Sequence, residues 1–183
     1  MWLRQVFNDE WVSNVHRIAS RYREVEGEYE THVDGDPNQS TVVKENYLMR
    51  WIIARREKEL ASHLYDVVQK ANRKMYVYDI WPEIDNIQYT TYDSSTNGDF
   101  PWHTDSFLFG RPSVQKLTIV VGLTDSDHYE GGMLEIMSRK PIQIKLTAGQ
   151  AVVFPSVLNH RVTPVTKGKR QTLVTWFSGP MWR

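Results

Sequence analysis

The chain has 183 residues, of which 40% are hydrophobic and 24% are charged, so it can fold around one sizeable core and is not dominated by disorder. Its 22 Lys and Arg residues balance 22 Asp and Glu residues, and a formal net charge of zero argues against strong non-specific nucleic-acid binding. The absence of cysteine excludes disulfides and thiolate metal sites.

Targeting signals are not recognisable in the sequence. No apolar run reaches the roughly 20 residues of a membrane span, and the N-terminal residues lack the basic-then-apolar order of a signal peptide. We therefore expect a cytoplasmic protein without a membrane partner. We also expect a single domain over residues 1–183, with helical support in 1–74 and a β-rich core in 75–183.

Two helices are predicted in the first part of the chain. Asn8 can cap a helix that runs to about Tyr22, with apolar residues at three- and four-residue spacings along one face. A similar pattern predicts a second helix from Glu45 to about Asn72. Both are expected to pack on one face of a sheet.

The segment between these helices, residues 24–41, is polar and rich in acidic side chains. It contains the turn signal Asp34-Gly35-Asp36-Pro37. It is long for a simple connection, and long loops are often functional covers. The sequence therefore predicts a loop here, either a solvated acidic loop or a lid.

After residue 74 the pattern changes to short β-branched and aromatic runs separated by turn residues. Strands are predicted at Met75–Ile80, Ile87–Tyr92, Lys116–Leu123, Met133–Met137, Ile142–Leu146, Ala151–Phe154, Arg161–Val165 and Gln171–Ser178. Many short strands without intervening helices indicate a sandwich or a jelly roll. The expected fold class is mainly β, a jelly roll flanked by N-terminal α-helices.

Three residues in this β-rich part form a candidate metal site. His103 and Asp105 share a strand face if their segment is extended, because alternate residues point the same way. His160 follows a strand run and can join them from a neighbouring strand. Two imidazoles and one carboxylate with open positions favour Fe(II), although Zn²⁺ also accepts this ligand set.

Arg170 narrows the choice of metal chemistry. Its planar guanidinium can pair with a carboxylate in a bidentate manner, and Thr172 would share its strand face and add a hydroxyl donor. Together they could hold the far carboxylate of 2-oxoglutarate while the 2-oxo acid end of that molecule chelates iron.

These motifs resemble the Fe(II)- and 2-oxoglutarate-dependent dioxygenases of the prolyl 4-hydroxylase-like group. Gly149–Arg170 carries the closest likeness, to the PKHD-type hydroxylases and related small phage proteins. Asp127–Ile136 matches the family's acidic Gly-Gly turn, and Trp102–Asp105 matches its first metal motif. The resemblance covers roughly residues 85–180 and implies a double-stranded β-helix.

The resemblance also implies roles for individual residues. His103, Asp105 and His160 would be the catalytic Fe(II) ligands, and Arg170 with Thr172 would bind 2-oxoglutarate. Two further residues are expected at the cosubstrate pocket, with ordinary aromatic core packing as the alternative for each: Tyr92 and Trp176.

The implied function is hydroxylation of a C–H bond, with a prolyl residue as the favoured target and succinate and CO₂ as co-products. The cofactors would be Fe(II), 2-oxoglutarate and O₂, with ascorbate as an optional addition. Besides 2-oxoglutarate, the expected partner is a peptide, protein or small-molecule substrate rather than a nucleic acid.

Two alternatives stay open at this point. A nucleic-acid dealkylase would use the same iron chemistry, and Arg161, Lys167, Lys169 and Arg170 form a local basic run that could serve it. A non-catalytic jelly-roll binding module with a vestigial triad is the other.

Overall fold

A computed structural model describes residues 1–33, 36–84, 86–106 and 113–181, with side chains described outside residues 29–44. The helices are α1 (Asp9–Ala19) and α2 (Lys58–Met75). The strands are β1 (Trp2–Gln5), β2 (Glu24–Val33), β3 (Asp36–Ile53), β4 (Asn86–Asp93), β5 (Phe100–His103), β6 (Ser113–Gly122), β7 (Tyr129–Gly131), β8 (Leu134–Ile136), β9 (Ile142–Ile144), β10 (Gln150–Pro155), β11 (His160–Val162) and β12 (Val165–Pro180).

The strands form two antiparallel sheets that face each other. The larger has the order β1-β10-β6-β12-β4-β3-β2, with β7 paired to β12, and the smaller has the order β5-β11-β8-β9. Neighbours such as β10 and β6, or β12 and β4, are distant in sequence, which is the connectivity of a jelly roll. The predicted fold class, mainly β with flanking helices, is confirmed.

The two faces of the larger sheet bury different cores. The outer face packs against the apolar stripes of α1 and α2, with Val15, Leu64 and Val68 at most 1% exposed. The inner face meets the smaller sheet through Val152 and Phe154. The helices therefore support the sheet from outside, and the space between the sheets is left for a site.

Helix α1 agrees with its prediction, although it ends earlier, at Ala19. The Asn8 side chain accepts a hydrogen bond from the backbone N–H of Trp11 over 2.9 Å, as an N-cap does. Asp9 and Glu10 in its first turn are favourably placed at the positive end of the helix dipole.

The predicted loop over residues 24–41 is wrong, and so is a loop-type lid there. β2 and β3 form a long hairpin that pairs from Glu24↔Arg50 to Val33↔Asp36, and residues 34 and 35 lie outside the described residues. The acidic residues of β2 alternate with other side chains, a period-two pattern. Charged edge strands of this kind discourage pairing with other chains.

The predicted helix over 45–72 is wrong for residues 45–57. β3 continues to Ile53 because it pairs with β4, with Trp51 opposite Gln88, and both faces of this stretch are partly covered. A strand covered on both faces gives a continuous apolar run that periodicity cannot separate from a helix. Strands β1, β2 and β3 thus lie in the segment expected to be helical support.

The predicted strand Met75–Ile80 is also wrong. Helix α2 extends to Met75, and residues 77–84 are not in a strand. Strands β1, β5 and β7 lack a counterpart among the predicted strands. Within the part of the chain described here, no helix combines the length and apolar character needed to cross a bilayer.

Candidate active site

The jelly roll brings His103, Asp105 and His160 together between the two sheets. β5 pairs with β11 so that His103 lies opposite His160, and the ring centroids are 4.1 Å apart. The two carboxylate oxygens of Asp105 lie 3.4 Å from Nε2 of His103 and 3.4 Å from Nε2 of His160. Ligands about 2 Å from one metal ion are about 3–4 Å apart, so these atoms can share an ion.

Both imidazoles are held in the tautomer that a metal ligand needs. Nδ1 of His103 lies 2.9 Å from the carbonyl oxygen of Pro101, and Nδ1 of His160 lies 2.9 Å from that of Leu158. A carbonyl can only accept, so each Nδ1 carries the proton and each Nε2 presents a lone pair. Burial lowers the pKa of His160, and the nearby His103 lowers it further. The Asp105 carboxylate opposes this shift, but the pKa still lies below its usual value, so a neutral ring is favoured.

Asp105 is fixed by two buried hydroxyl side chains. Oγ1 of Thr118 donates to Oδ2 of Asp105 over 2.6 Å and lies 2.9 Å from Oγ of Ser156. Since Thr118 gives its one proton to the carboxylate, Ser156 donates to Thr118. Burial raises the pKa of Asp105, but the neighbouring imidazoles of His103 and His160 and the hydrogen bond from Thr118 outweigh it, and the pKa lies below its usual value.

The Thr118→Val variant is expected to bind divalent metal roughly 10- to 100-fold more weakly, the usual effect of losing an outer-shell partner. The substitution keeps the volume but leaves Asp105 without this donor. Mn²⁺ affinity can be measured by titration with electron paramagnetic resonance. Thr175→Val is the matched control, because Thr175 is 1% exposed and its hydroxyl donates to the Asn86 carbonyl instead. Equal losses of affinity in both variants would contradict the role of Thr118.

A cavity of about 110 Å³ extends from the triad along the inner face of the larger sheet. It is lined by all seven residues that the sequence singled out: Tyr92, His103, Asp105, His160, Arg170, Thr172 and Trp176. The pairing of Arg170 with Tyr92 and of Thr172 with Thr90 across β12 and β4 places their side chains on this face. The predicted residues are therefore gathered at one place, and their roles stay predictions.

Arg170 is the largest of the most deeply buried side chains and is 2% exposed. Its Nε and Nη1 have no hydrogen-bond partner among the described residues. The guanidinium lies 5.0 Å from the centre of the Tyr92 ring. Burial raises the pKa of Tyr92 to about 12 against the opposing charge of Arg170, so Tyr92 stays a neutral phenol.

An unpaired buried cation costs several kcal/mol unless a partner neutralises it. A carboxylate that enters the cavity would supply that partner, so the donor set fits the distal carboxylate of 2-oxoglutarate. The buried hydroxyl of Thr172, on the same strand face, is placed to add a donor.

The Gly131–Gly132 turn makes room for Arg170. Gly132 has φ +58°, in the left-handed region, and a Cβ added there would lie 2.8 Å from Cδ of Arg170. Only glycine adopts this conformation without strain and leaves space for the arginine stem. The acidic Gly-Gly motif seen in the sequence is thereby explained by the packing of a residue almost forty positions later.

The Gly132→Ala variant is expected to lose about 1–2 kcal/mol of folding free energy through left-handed strain and to bind 2-oxoglutarate more weakly. The second effect follows because the new methyl group displaces Arg170. Urea unfolding and calorimetric titration measure the two effects. Gly168→Ala is the control: its φ is +71°, but its Cβ would meet the backbone of His128 rather than Arg170. Weakened 2-oxoglutarate binding in the control as well would assign the effect to general strain.

Sequence reasoning missed several residues of this site. Phe100 lies against the His103 ring, with centroids 4.2 Å apart, and also contacts Tyr47. Gln88 and Thr90 line the cavity on β4. The period-two spacing from Gln88 through Thr90 to Tyr92 was an available signal, because it puts all three on one strand face.

A second group of possible metal ligands occurs among the described residues, in the turn after β6. Asp125, Asp127 and His128 place ligand atoms within 4.8 Å of one another, but all three side chains are exposed. Exposed acidic turns commonly form without an ion, and this group lacks the enclosing cavity of the first.

The basic run that could have served a nucleic acid is largely neutralised. Arg161 pairs with Glu135 at 2.6 Å, Lys167 with Glu130 at 3.0 Å and Lys169 with Asp93 at 2.7 Å. Arg170 is buried. The structure therefore offers little free positive charge here for phosphates.

Comparison with known proteins agrees with this geometry. Residues 87–178 match the family model described as the 2OG-Fe(II) oxygenase superfamily. A PKHD-type hydroxylase from Teredinibacter turnerae is 40% identical over 84 residues, which are 43% of this chain and 37% of that protein. The chain spans about two fifths of the length of the first such curated relatives, 37% and 39%.

Solved structures share the fold at low sequence identity. An oxidoreductase of the 2OG-Fe(II) oxygenase family from Burkholderia pseudomallei superposes with a TM-score of 0.67 and 14% identity, covering 96% of this chain and 83% of that one. A Pseudomonas putida prolyl-4-hydroxylase gives a TM-score of 0.64 and 14% identity, covering 100% and 92%.

Proposed function

The chain belongs to the 2OG-Fe(II) oxygenase superfamily, and from this premise we propose that it is an Fe(II)- and 2-oxoglutarate-dependent hydroxylase. The observation that carries the proposal is the buried guanidinium of Arg170, with two unpaired nitrogens, in the same cavity as the His103-Asp105-His160 triad. A metal triad alone would fit several reactions. A triad that shares a cavity with an unpaired buried cation favours a metal-chelating dicarboxylate.

Separate residues of the chain would bind the metal and the cosubstrate. The Nε2 atoms of His103 and His160 and the Asp105 carboxylate would hold Fe(II) on one side and leave other coordination positions free. Arg170 and Thr172 would fix the distal carboxylate of 2-oxoglutarate. The bound iron would supply the chemistry that splits O₂, placing one oxygen atom in a substrate C–H bond as hydroxyl and the other in succinate, with release of CO₂.

The apolar side chains around the triad would keep bulk water away from the reacting atoms. Val120, Leu134, Val162 and Val174 line the same cavity. Such shielding strengthens the electrostatic contacts within the site and limits side reactions.

The proposed primary substrate is a residue of a peptide or protein. The support comes from the names of similar proteins, a PKHD-type hydroxylase and a prolyl-4-hydroxylase. The neutralised basic run disfavours the dealkylase alternative. The presence of the complete metal triad together with Arg170 disfavours a non-catalytic binding module with a vestigial site.

A single domain over 1–183 and a cytoplasmic location belong to the same proposal.

The test is formation of succinate from 2-oxoglutarate by purified protein with Fe(II) and O₂, in the presence of a peptide library or of methylated oligonucleotides. Peptide-stimulated succinate supports the proposal, and stimulation by oligonucleotides alone favours the dealkylase. Calorimetric titration with Mn²⁺ and 2-oxoglutarate tests the alternative of a non-catalytic binding module, because a vestigial site would show no metal-dependent binding of 2-oxoglutarate.

A further inference from the structure

The end of the cavity away from Arg170 has a different chemical character. Along β12, Trp176 lies six residues beyond Arg170, about 20 Å for an extended strand. Thr118 lies opposite Trp176 across β6 and β12 and donates to Asp105. The Trp176 end is therefore beside the metal triad, while Arg170 marks the opposite end.

An indole from β3, two strands away from β12 in the larger sheet, extends this end toward the solvent. Trp51 is opposite Gln88 across β3 and β4, and Gln88 is opposite Val174 across β4 and β12, so the inner face continues from strand to strand. The ring centroids of Trp51 and Trp176 are 6.3 Å apart, and the ring planes differ by 40°. Trp51 is nevertheless 40% exposed, so part of its indole surface is open to a ligand.

Two polar side chains at this end line the cavity. Nε1 of Trp176 is buried without an acceptor among the described residues. Gln88 is only 8% exposed. A buried donor left unpaired costs about 1–3 kcal/mol, so an oxygen acceptor from a ligand would be stabilising at Nε1 of Trp176, and the Gln88 amide could donate to the same acceptor.

Apart from the metal triad and Arg170 at the opposite end, no charged side chain among the described residues lines the cavity. The cavity wall around Trp176 is formed by Gln88, Val120 and Val174. The nearest carboxylate in that wall is Asp105, which the proposed function commits to the metal. A charged substrate group would lose its hydration here without gaining a counter-ion.

We infer that Trp51, Gln88 and Trp176 form the recognition site for the primary substrate, and that this site selects an uncharged residue of a peptide. The two indoles would contact the apolar side chain of that residue, and a neighbouring peptide carbonyl would accept hydrogen bonds from Nε1 of Trp176 and the amide of Gln88. The inference rests on the proposed function and adds to it the contact residues and the charge of the substrate.

A rival place for substrate recognition lies at the other end of β3. The carboxylates of Glu45 and Asp99 lie near each other and near His103. Glu45 is on β3, six residues before Trp51. They would attract a cationic residue such as lysine. The two possibilities therefore predict opposite preferences for substrate charge.

The test is binding of four acetylated, amidated pentapeptides, Gly-Gly-X-Gly-Gly with X as proline, leucine, lysine or aspartate, to the full chain loaded with Mn²⁺ and 2-oxoglutarate. Calorimetric titration without O₂ measures affinity separately from turnover. The proline or leucine peptide is expected to bind at least tenfold more tightly than the charged peptides. Trp51→Ala and Gln88→Leu are each expected to weaken that binding about tenfold, with Trp51→Phe restoring most of it.

Leu48→Ala is the matched control for Trp51→Ala. Leu48 is 37% exposed on the same strand, but it is an odd number of residues from Trp51 and so points to the other face. Its loss should leave peptide affinity unchanged. None of these variants should alter the affinity for 2-oxoglutarate.

Several results would overturn the inference while the proposed function stands. These are preference for the lysine peptide, equal effects of Trp51→Ala and Leu48→Ala, or binding of none of the four peptides. Binding of a methylated oligonucleotide in their place would overturn the inference together with the peptide substrate of the proposed function. Failure of the wild-type chain to bind 2-oxoglutarate with Mn²⁺ would instead reject the proposed function.

Discussion

The His160→Ala variant is expected to lose metal-dependent turnover and most of its affinity for divalent metal. The imidazole is 5% exposed and lies between the rings of Phe154 and His103. No other His, Asp or Glu among the described residues belongs to its ligand cluster besides His103 and Asp105, so none can take its place. The loss should exceed the roughly 10- to 100-fold effect of removing an outer-shell partner.

Metal binding and folding can be separated in this variant. Mn²⁺ titration measures the lost ligand, and circular dichroism with thermal unfolding in the presence of a chelator measures the fold. The metal-free His160→Ala protein is expected to unfold cooperatively, because the apolar contacts of β11 through Val162 are unchanged.

The His128→Ala variant is the control for His160→Ala. His128 belongs to the exposed group with Asp125 and Asp127, so the control also asks whether that turn is the principal metal site. Metal stoichiometry and turnover should remain those of the wild type. Loss of metal in His128→Ala with retention in His160→Ala would place the metal in the turn and reject the buried triad.

Apart from β5 and β7, the strands from residue 86 onward were accessible from sequence because most of them are short and bounded by turn residues. Their inner faces alternate with faces that contact the helices, and that period of two is a local property. The β2–β3 hairpin was missed for two different reasons. The acidic alternation of β2 resembles a solvated loop, and the apolar run of β3 resembles a helix until its pairing with β4 is known.

The metal-ligand motif was visible because two of its residues are two positions apart on one strand. Arg170 could be recognised from sequence because it follows the metal ligand His160 in a β-rich segment. A guanidinium there suggests a group that pairs with the carboxylate of a metal-chelating cosubstrate. Thr118 and Ser156 were not, since their contacts join residues 13 and 38 positions apart. A serine or threonine in a strand is too common for its hydroxyl to indicate a carboxylate partner before the strand order is known.

The contact between Trp51 and Trp176 also could not be predicted before the strand order was known. The position of Trp51 in a segment predicted as helix hid its relation to Trp176, which lies more than a hundred residues later. The pairing of β3 with β4 and of β4 with β12 creates that relation. The proposed recognition site for the substrate therefore depends on the order of the strands in the sheet, whereas the metal-ligand motif depends largely on local spacing in the sequence.

The Arg170→Met variant is expected to need at least about 30-fold more 2-oxoglutarate for half-maximal turnover. Removal of one partner from a buried, hydrogen-bonded charge pair costs about 2–5 kcal/mol, and about 1.4 kcal/mol corresponds to a factor of ten. Methionine retains an unbranched stem that can pack against Gly132. Metal affinity without cosubstrate should be unchanged, since Arg170 is not among the ligands.

Arg170→Lys tests the geometry of recognition apart from its charge. Lysine keeps the positive charge but presents an ammonium group, which cannot make the planar bidentate pair. Its affinity for 2-oxoglutarate should fall between those of the wild type and Arg170→Met. Equal affinities of Arg170→Lys and the wild type would mean that charge alone is recognised.

The folding stability of the same variants tests the role of Arg170 independently of turnover. In the cosubstrate-free protein, Arg170 is a buried cation with unpaired nitrogens, offset in part by the Tyr92 ring. Its replacement by methionine should therefore leave the melting temperature of the free protein unchanged or raise it. The wild type should gain about 2.7 kcal/mol of unfolding free energy when 2-oxoglutarate is 100-fold above its dissociation constant. Arg170→Met should lose most of this gain at the same concentration, and an undiminished gain would remove Arg170 from the proposed cosubstrate site.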